Sequence, residues 1–247
     1  EVNFSWNYVP ALDALGWPVC TVELPESSLA NIQLSAEHIE YAIRESFRLS
    51  GHKVQVIGFS QGGMAPRWPL RFSPDTRRKV QDLISLSGSH HGAFGADLLC
   101  GPFASPDPDG VVGCEAALWQ QGVNSDFINA LNGGYETVPD VDYTATYTLF
   151  DDVLPSNGGP MPTSALAEEG ENVLNITLQE VCPANTADHR AIGTFDPVGF
   201  SIALDALLHD GPASLERVLG GYAPGESPLC SEAVMPGVDP ADLDYNL

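Results

Sequence analysis

The sequence predicts an α/β chain: a mainly parallel β-sheet with helices on both faces. Three observations predict it. Short β-branched runs alternate with segments of helical period. Glycine and proline fall between those segments and not inside most of them. One strand runs straight into Gly58-Phe59-Ser60-Gln61-Gly62-Gly63 and then into a helical pattern.

The elements follow in order. Residues 17–22 carry Val19, Cys20 and Val22 after Gly16 and read as a short buried strand. Ser35 is the expected N-cap of a helix whose Ile39, Ala42, Ile43 and Phe47 share one face until Gly51 stops it. Residues 53–57 form the next strand, and a helix runs from the glycine-rich turn to about Phe72, kinked at Pro66 and Pro69. Residues 80–86 are a strand. Residues 88–114, rich in Gly, Pro and Asp, read as a lid-like loop. Helix resumes at Glu115 and ends near Gly133-Gly134. Strands are expected over 143–150 and 173–181. Asp196-Pro197, an N-cap followed by proline at the first helical position, opens a helix to about Leu208. Residues 211–247 read as an irregular C-terminal tail, and no linker splits 1–247 into more than one domain.

Composition narrows the function. Thirty-three acids against ten bases give a net charge of -23, and Lys53 and Lys79 are the two lysines. Such a surface excludes nucleic acid as a partner, since phosphates are bound by Lys and Arg, and disfavours docking to anionic lipid. It suits a soluble protein, or one adapted to high salt or low pH. No unbroken apolar run is long enough to span a bilayer. No basic-then-apolar leader opens the chain, so any signal peptide is expected to lie outside these residues. The five cysteines form no Cys-x-x-Cys pair, which favours disulfides in an oxidising compartment, with one cysteine left over.

Gly58-Phe59-Ser60-Gln61-Gly62 fits the G-x-S-x-G nucleophile elbow of the α/β-hydrolase fold, in the strand-to-helix context that the turn needs. A serine hydroxyl needs a general base oriented by a carboxylate, and in this fold the chain order is Ser, acid, His. His38 and His52 precede Ser60, and His90 and His91 precede every good acid, leaving His189 and His209. His209 ends a helix, where its charge suits the dipole. His189 lies in the loop after a strand and is the expected base. Asp151 and Asp152 both follow the 143–150 strand; Asp151 is the expected acid and Asp152 its nearest rival. Neighbouring His90 and His91 point apart in an extended segment and lack a third ligand at a fitting spacing, so no metal site is expected.

Residues 60–68, from Ser60-Gln61-Gly62-Gly63 to Arg67-Trp68, resemble the Candida antarctica lipase B family of α/β-hydrolase lipases. Trp119-Gln120-Gln121, the Tyr147-to-Asp151 segment and Asp188-His189 carry the same resemblance, which runs from about Ser5 to Cys230. It implies Ser60 as nucleophile, Asp151 as acid, His189 as base, and the Gln61 backbone N–H as an oxyanion donor. It implies that Phe59, Gln121 and Val153 line the substrate pocket, with Ser89 standing where the family has an Asp. It pairs Cys182 with Cys230. Cys100 and Cys114 have no family counterpart, and we expect them to pair and pin the lid-like loop. Cys20 matches a family position whose disulfide partner lies in an N-terminal segment. The expected fold is therefore an α/β-hydrolase lacking its N-terminal strand or strands, with a second oxyanion amide either upstream or replaced near Ser89. The implied activity is hydrolysis of lipid or small esters without a cofactor, by a secreted monomer that meets a lipid–water interface transiently. Acyl transfer, polyester hydrolysis and non-catalytic lipid binding are the alternatives on the same fold.

Overall fold

The computed structural model describes residues 3–100, 114–168 and 170–243. Four strands, Val54–Phe59 (β1), Val80–Leu86 (β2), Asp142–Tyr147 (β3) and Val173–Thr177 (β4), form one sheet. It is parallel throughout, in the order β1-β2-β3-β4. Parallel neighbours need crossovers, and the helices that supply them cover both faces.

Side-chain alternation divides the core. On β2, Leu83 joins one cluster with Ile39, Ile43, Met64, Leu70, Phe127, Leu131 and Tyr143. Ile84 and Leu86 join the other, with Ile176, Leu178, Ile192, Phe200 and Ile202. Each such side chain contributes roughly 1.5–3 kcal/mol by leaving water. Helix Ile32–Ser50 buries Ile32, Ile39 and Ile43 in the first cluster. Helix Pro197–Leu208 is packed almost all round in the second. The stretch His189–Leu208 is long and apolar enough to cross a membrane, but most of it is buried inside the protein. Its hydropathy is that of a core element, two short helices broken at residues 195–196.

Several expectations are corrected. Trp17 is half-buried, residues 18–22 are exposed and none of them joins a ladder, so the predicted strand there is coil and β1 stands at the edge of the sheet. The N-cap of the first long helix is Asn31, whose side chain accepts the Gln33 N–H; Ser35 is buried inside the helix. The helix after the elbow is two pieces, Gln61–Met64 and Arg67–Phe72, broken where Pro66 stands. The helical pattern from Glu115 likewise splits into Ala116–Gln120 and Asp126–Asn132. The fourth strand ends at Thr177, where a capping box with Glu180 turns it into helix Leu178–Val181. The lid-like loop begins with helix Phe94–Cys100; its residues 101–113 lie outside the described residues. Residues 211–243, irregular apart from helix Leu215–Leu219 and short 3-10 turns, pack against the core. Ala213, Leu219, Met235 and Val238 are buried in the core, and Cys230 is bridged to Cys182. Apolar residues widely spaced among glycine and proline carry no periodicity, so sequence gave no sign of this packing.

Asp82 of β2 lies in register between Gln55 and Asp142 and is buried. Burial, reinforced by the charges of Asp142 and Asp210 against the Gln55 hydrogen bond and Lys53, pushes its carboxyl up to about 7. Since the folded pKa is raised, this group's contribution is complete below the ordinary carboxylate range and is lost as pH rises through about 7. Asp82→Asn, which leaves an oxygen to accept from Gln55, is expected to raise Tm more at about pH 9 than at about pH 5 in thermal melts. An equal change at both pH values would contradict this.

Candidate active site

Ser60 follows the last residue of β1 at φ 54°, ψ −123°, a left-handed conformation that a non-glycine residue holds only when its surroundings force it. Its N–H donates to Leu86 O at 2.9 Å, and its carbonyl accepts the Gly63 N–H at 3.0 Å. The turn closes so tightly that a Cβ on Gly58 would lie 1.9 Å from the Gly62 carbonyl oxygen. A Cβ on Gly63 would lie 2.4 Å from Ser85 Oγ. At Gly62, the second glycine of the pentapeptide, a Cβ would meet nothing within 4 Å. The steric requirement thus falls on Gly58 and Gly63, one position away from where the motif places its second glycine.

His189 opens helix His189–Thr194, capped by Asp188, whose side chain accepts the Ala191 N–H at 2.8 Å. His189 Nε2 lies 2.9 Å from Ser60 Oγ, and Nδ1 lies 2.9 Å from Asp151 Oδ2. The imidazole is buried, and the Phe59 ring packs beside it with centroids 4.8 Å apart. Phe59 also fills the space over Gly193, where a Cβ would lie 2.3 Å from its ring. Phe59 therefore backs the histidine as well as lining the groove beside it.

Asp151 follows β3 and is 4 % exposed. Oδ1 accepts the Leu154 N–H at 2.6 Å and the Val153 N–H at 3.1 Å. Oδ2 accepts from Asn157 Nδ2 at 3.1 Å as well as facing His189. Burial pushes this carboxyl up, but the His189 hydrogen bond and charge, joined by the Leu154 N–H, outweigh it and hold it below its ordinary value. It therefore stands ionised beside His189.

An aligned serine, histidine and carboxylate on a parallel sheet invite comparison with known hydrolases. Aspergillus fumigatus lipase B superposes with a TM-score of 0.80 over 96 % of this chain and 54 % of its own, at 28 % identity. Lipase B of Pseudozyma antarctica is 28 % identical over 191 residues, 76 % of this chain and 52 % of the relative. The chain has the α/β-hydrolase fold and is similar to lipase B. It spans about half the length of these relatives. A Bacillus licheniformis lipase in its propeptide form shares the fold, with a TM-score of 0.53 at 18 % identity over 75 % of this chain and 42 % of its own. The palmitoyl protein thioesterase family matches residues 22–143, a segment that includes the elbow.

The lipase B-like frame accommodates the other expected site residues. Gln61 carries the first amide of the helix after the elbow, one of those with no intrahelical partner. Its side chain accepts from Gln121 Nε2 at 3.1 Å, and Gln121 Oε1 accepts from Ser89 Oγ at 2.9 Å. Ser89 and Gln121 are buried, so this polar chain borders Ser60 without facing bulk water. The Ser89 N–H donates to Ser60 O at 3.4 Å. Val153 is half exposed at the mouth of a groove of about 1060 Å³ that also borders Phe59 and His189. Asp152, the rival acid, instead accepts the backbone N–H of His189 at 3.3 Å. His209 pairs with Asp205 at the end of its helix. His91 pairs with Glu136 at 2.7 Å, while His90 is fully buried and held neutral by desolvation, aided by Arg67 and His91. Among the described residues, no three His, Cys, Asp or Glu side chains cluster as metal ligands. The disulfides Cys100–Cys114 and Cys182–Cys230 are both formed, and Cys20 is free and exposed.

Sequence reasoning missed Asn157. It is fully buried, ties Asp151 to Ser164, and sits in a Gly- and Pro-rich loop with no periodic signal. The usable clue was chemical: a buried carboxylate requires donors, and Asn157 is an amide donor six residues on.

The glycine geometry separates two substitutions that the motif treats alike. Gly58→Ala is expected to distort the elbow and cost about 1–3 kcal/mol or more in denaturant melts. Gly62→Ala, in open space on a helix, is expected to gain up to ~1 kcal/mol in the same melts. Equal losses in both variants would contradict the steric account.

Proposed function

We propose that this lipase B-like chain is a serine hydrolase that cleaves carboxylic esters through an acyl-enzyme on Ser60. The observation that carries the reading is the continuous hydrogen-bonded chain Ser60 Oγ–His189–Asp151 Oδ2. His189 Nε2 takes the hydroxyl proton as Ser60 attacks the ester carbonyl. Asp151 fixes the tautomer in which Nδ1 bears a proton and stabilises the imidazolium that forms. The oxyanion develops beside the Gln61 amide. His189 then returns its proton to the leaving alcohol and activates the water that frees the acid. No step requires a cofactor.

The substrate class is a lipid or small ester. Leu149, Phe150, Val153 and Met161 are exposed apolar residues on the acid's side of the site, and Phe94 and Leu98 are exposed on the helix after β2. Isolated in water they gain nothing, whereas at a lipid–water interface they lose unfavourable hydration. Two disulfides fit secretion into an oxidising compartment. The match to palmitoyl protein thioesterases across the elbow favours one second reading, acyl thioesters as substrates for the same triad.

Ser60→Ala and His189→Ala are each expected to lower kcat for a p-nitrophenyl ester by roughly 10⁴-fold or more, with the fold intact by circular dichroism. His209→Ala is expected to leave kcat unchanged. A chain-length series of p-nitrophenyl esters beside an S-acyl series ranks the two substrate classes. Normal turnover in His189→Ala would overturn the assignment of the base.

A further inference from the structure

Asp151 sits on the loop after β3 and His189 opens the helix that follows the loop beyond β4, and their contact requires those two loops to hold a fixed separation. Their own caps do not provide this: Asp151 is held by Val153, Leu154 and Asn157, and the His189 helix by Asp188. Besides Asp152, which accepts the His189 N–H at 3.3 Å, two further side chains cross between the loops. Thr148, three residues before Asp151, is fully buried. Its hydroxyl donates to Ala187 O, two residues before His189, at 2.6 Å. The same oxygen accepts the Phe150 N–H at 3.2 Å and Gln179 Nε2 at 3.1 Å, so both its donor and acceptor capacity are used. Gln179, on the helix after β4, donates also to Asn185 O at 3.0 Å and accepts the Leu149 N–H at 3.1 Å.

Those bonds touch both loops at residues 148–150 and at 185–187, and none reaches the reacting atoms. We propose that Thr148 and Gln179 are positioning residues that bolt the acid loop to the base loop and so set the Asp151–His189 hydrogen bond. The proposal rests on the serine-hydrolase reading above. Neither loop is regular structure, so neither has a ladder of its own to fix its distance from the other. A neutral side chain of the right shape keeps the packing and removes the bolt. Valine replaces the threonine hydroxyl with a methyl group, serine keeps the hydroxyl, and methionine keeps the length of Gln179 without its amide.

The experiment measures kcat and KM for a soluble p-nitrophenyl ester across pH, per active site titrated with a fluorophosphonate, in the full chain. Thr148→Val and Gln179→Met are expected to lower kcat by about 10- to 100-fold with KM within about twofold, because misplaced reacting groups cost rate more than binding. Their acid limb should move to lower pH, because a misaligned carboxylate stabilises the imidazolium less. Thr148→Ser should restore both. Unfolding of one variant leaves the other to decide. An unmoved acid limb with wild-type kcat per titrated site, in whichever variant folds, would overturn the proposal. Absence of ester turnover and of titratable serine in the wild type would instead overturn the parent reading.

Discussion

The site depends on one buried charge. Asp151 has lost nearly all contact with water, and an unpaired carboxylate there would take up a proton. The Val153 and Leu154 amides, the Asn157 side chain and His189 together replace the lost hydration. A carboxylate that stays ionised fixes the proton of His189 on Nδ1 and leaves Nε2 free to accept from Ser60. Removing its donors would change the ionisation state and with it the tautomer of His189. The local backbone around residues 153–157 thus decides how Asp151 is held.

Ser60 is held by a different kind of force. Its left-handed backbone is imposed by sterics, with Gly58 and Gly63 making room for the turn and the β2 backbone accepting its N–H. The parallel order β1-β2-β3-β4 places the elbow, the acid loop and the base loop at the same end of the sheet. Three side chains far apart in sequence therefore converge without any one element bending toward another. Cys182–Cys230 ties the last segment of the described chain to the start of the base loop. A disulfide across that separation limits the unfolded ensemble and keeps this part of the core closed.

Much of this was legible in the sequence because it rests on local patterns. The strand at residues 80–86 and the Asp196-Pro197 helix start are written in periodicity and capping chemistry and appear at the expected residues. The elbow is legible because its glycines serve a steric need, although the need at Gly62 is absent. The chain order of Ser60, Asp151 and His189 pointed to groups that the fold does bring together. What was not legible depends on distant partners. Residues 17–22 have strand-forming composition but no neighbour to pair with in the described structure. The core role of Met235 and Val238, and the donors Asn157 and Thr148, appear only once the chain is folded, because burial is decided by residues elsewhere in sequence.

The central claim is that Ser60 is an activated nucleophile, and covalent labelling tests it most directly. The chain would be treated with a fluorophosphonate at neutral pH, digested and mapped by mass spectrometry, beside His189→Ala under the same conditions. The account predicts one adduct, on Ser60, that is lost or slowed by orders of magnitude in the variant. No adduct on Ser60, an adduct on another serine, or equal labelling of Ser60 in both proteins would contradict it.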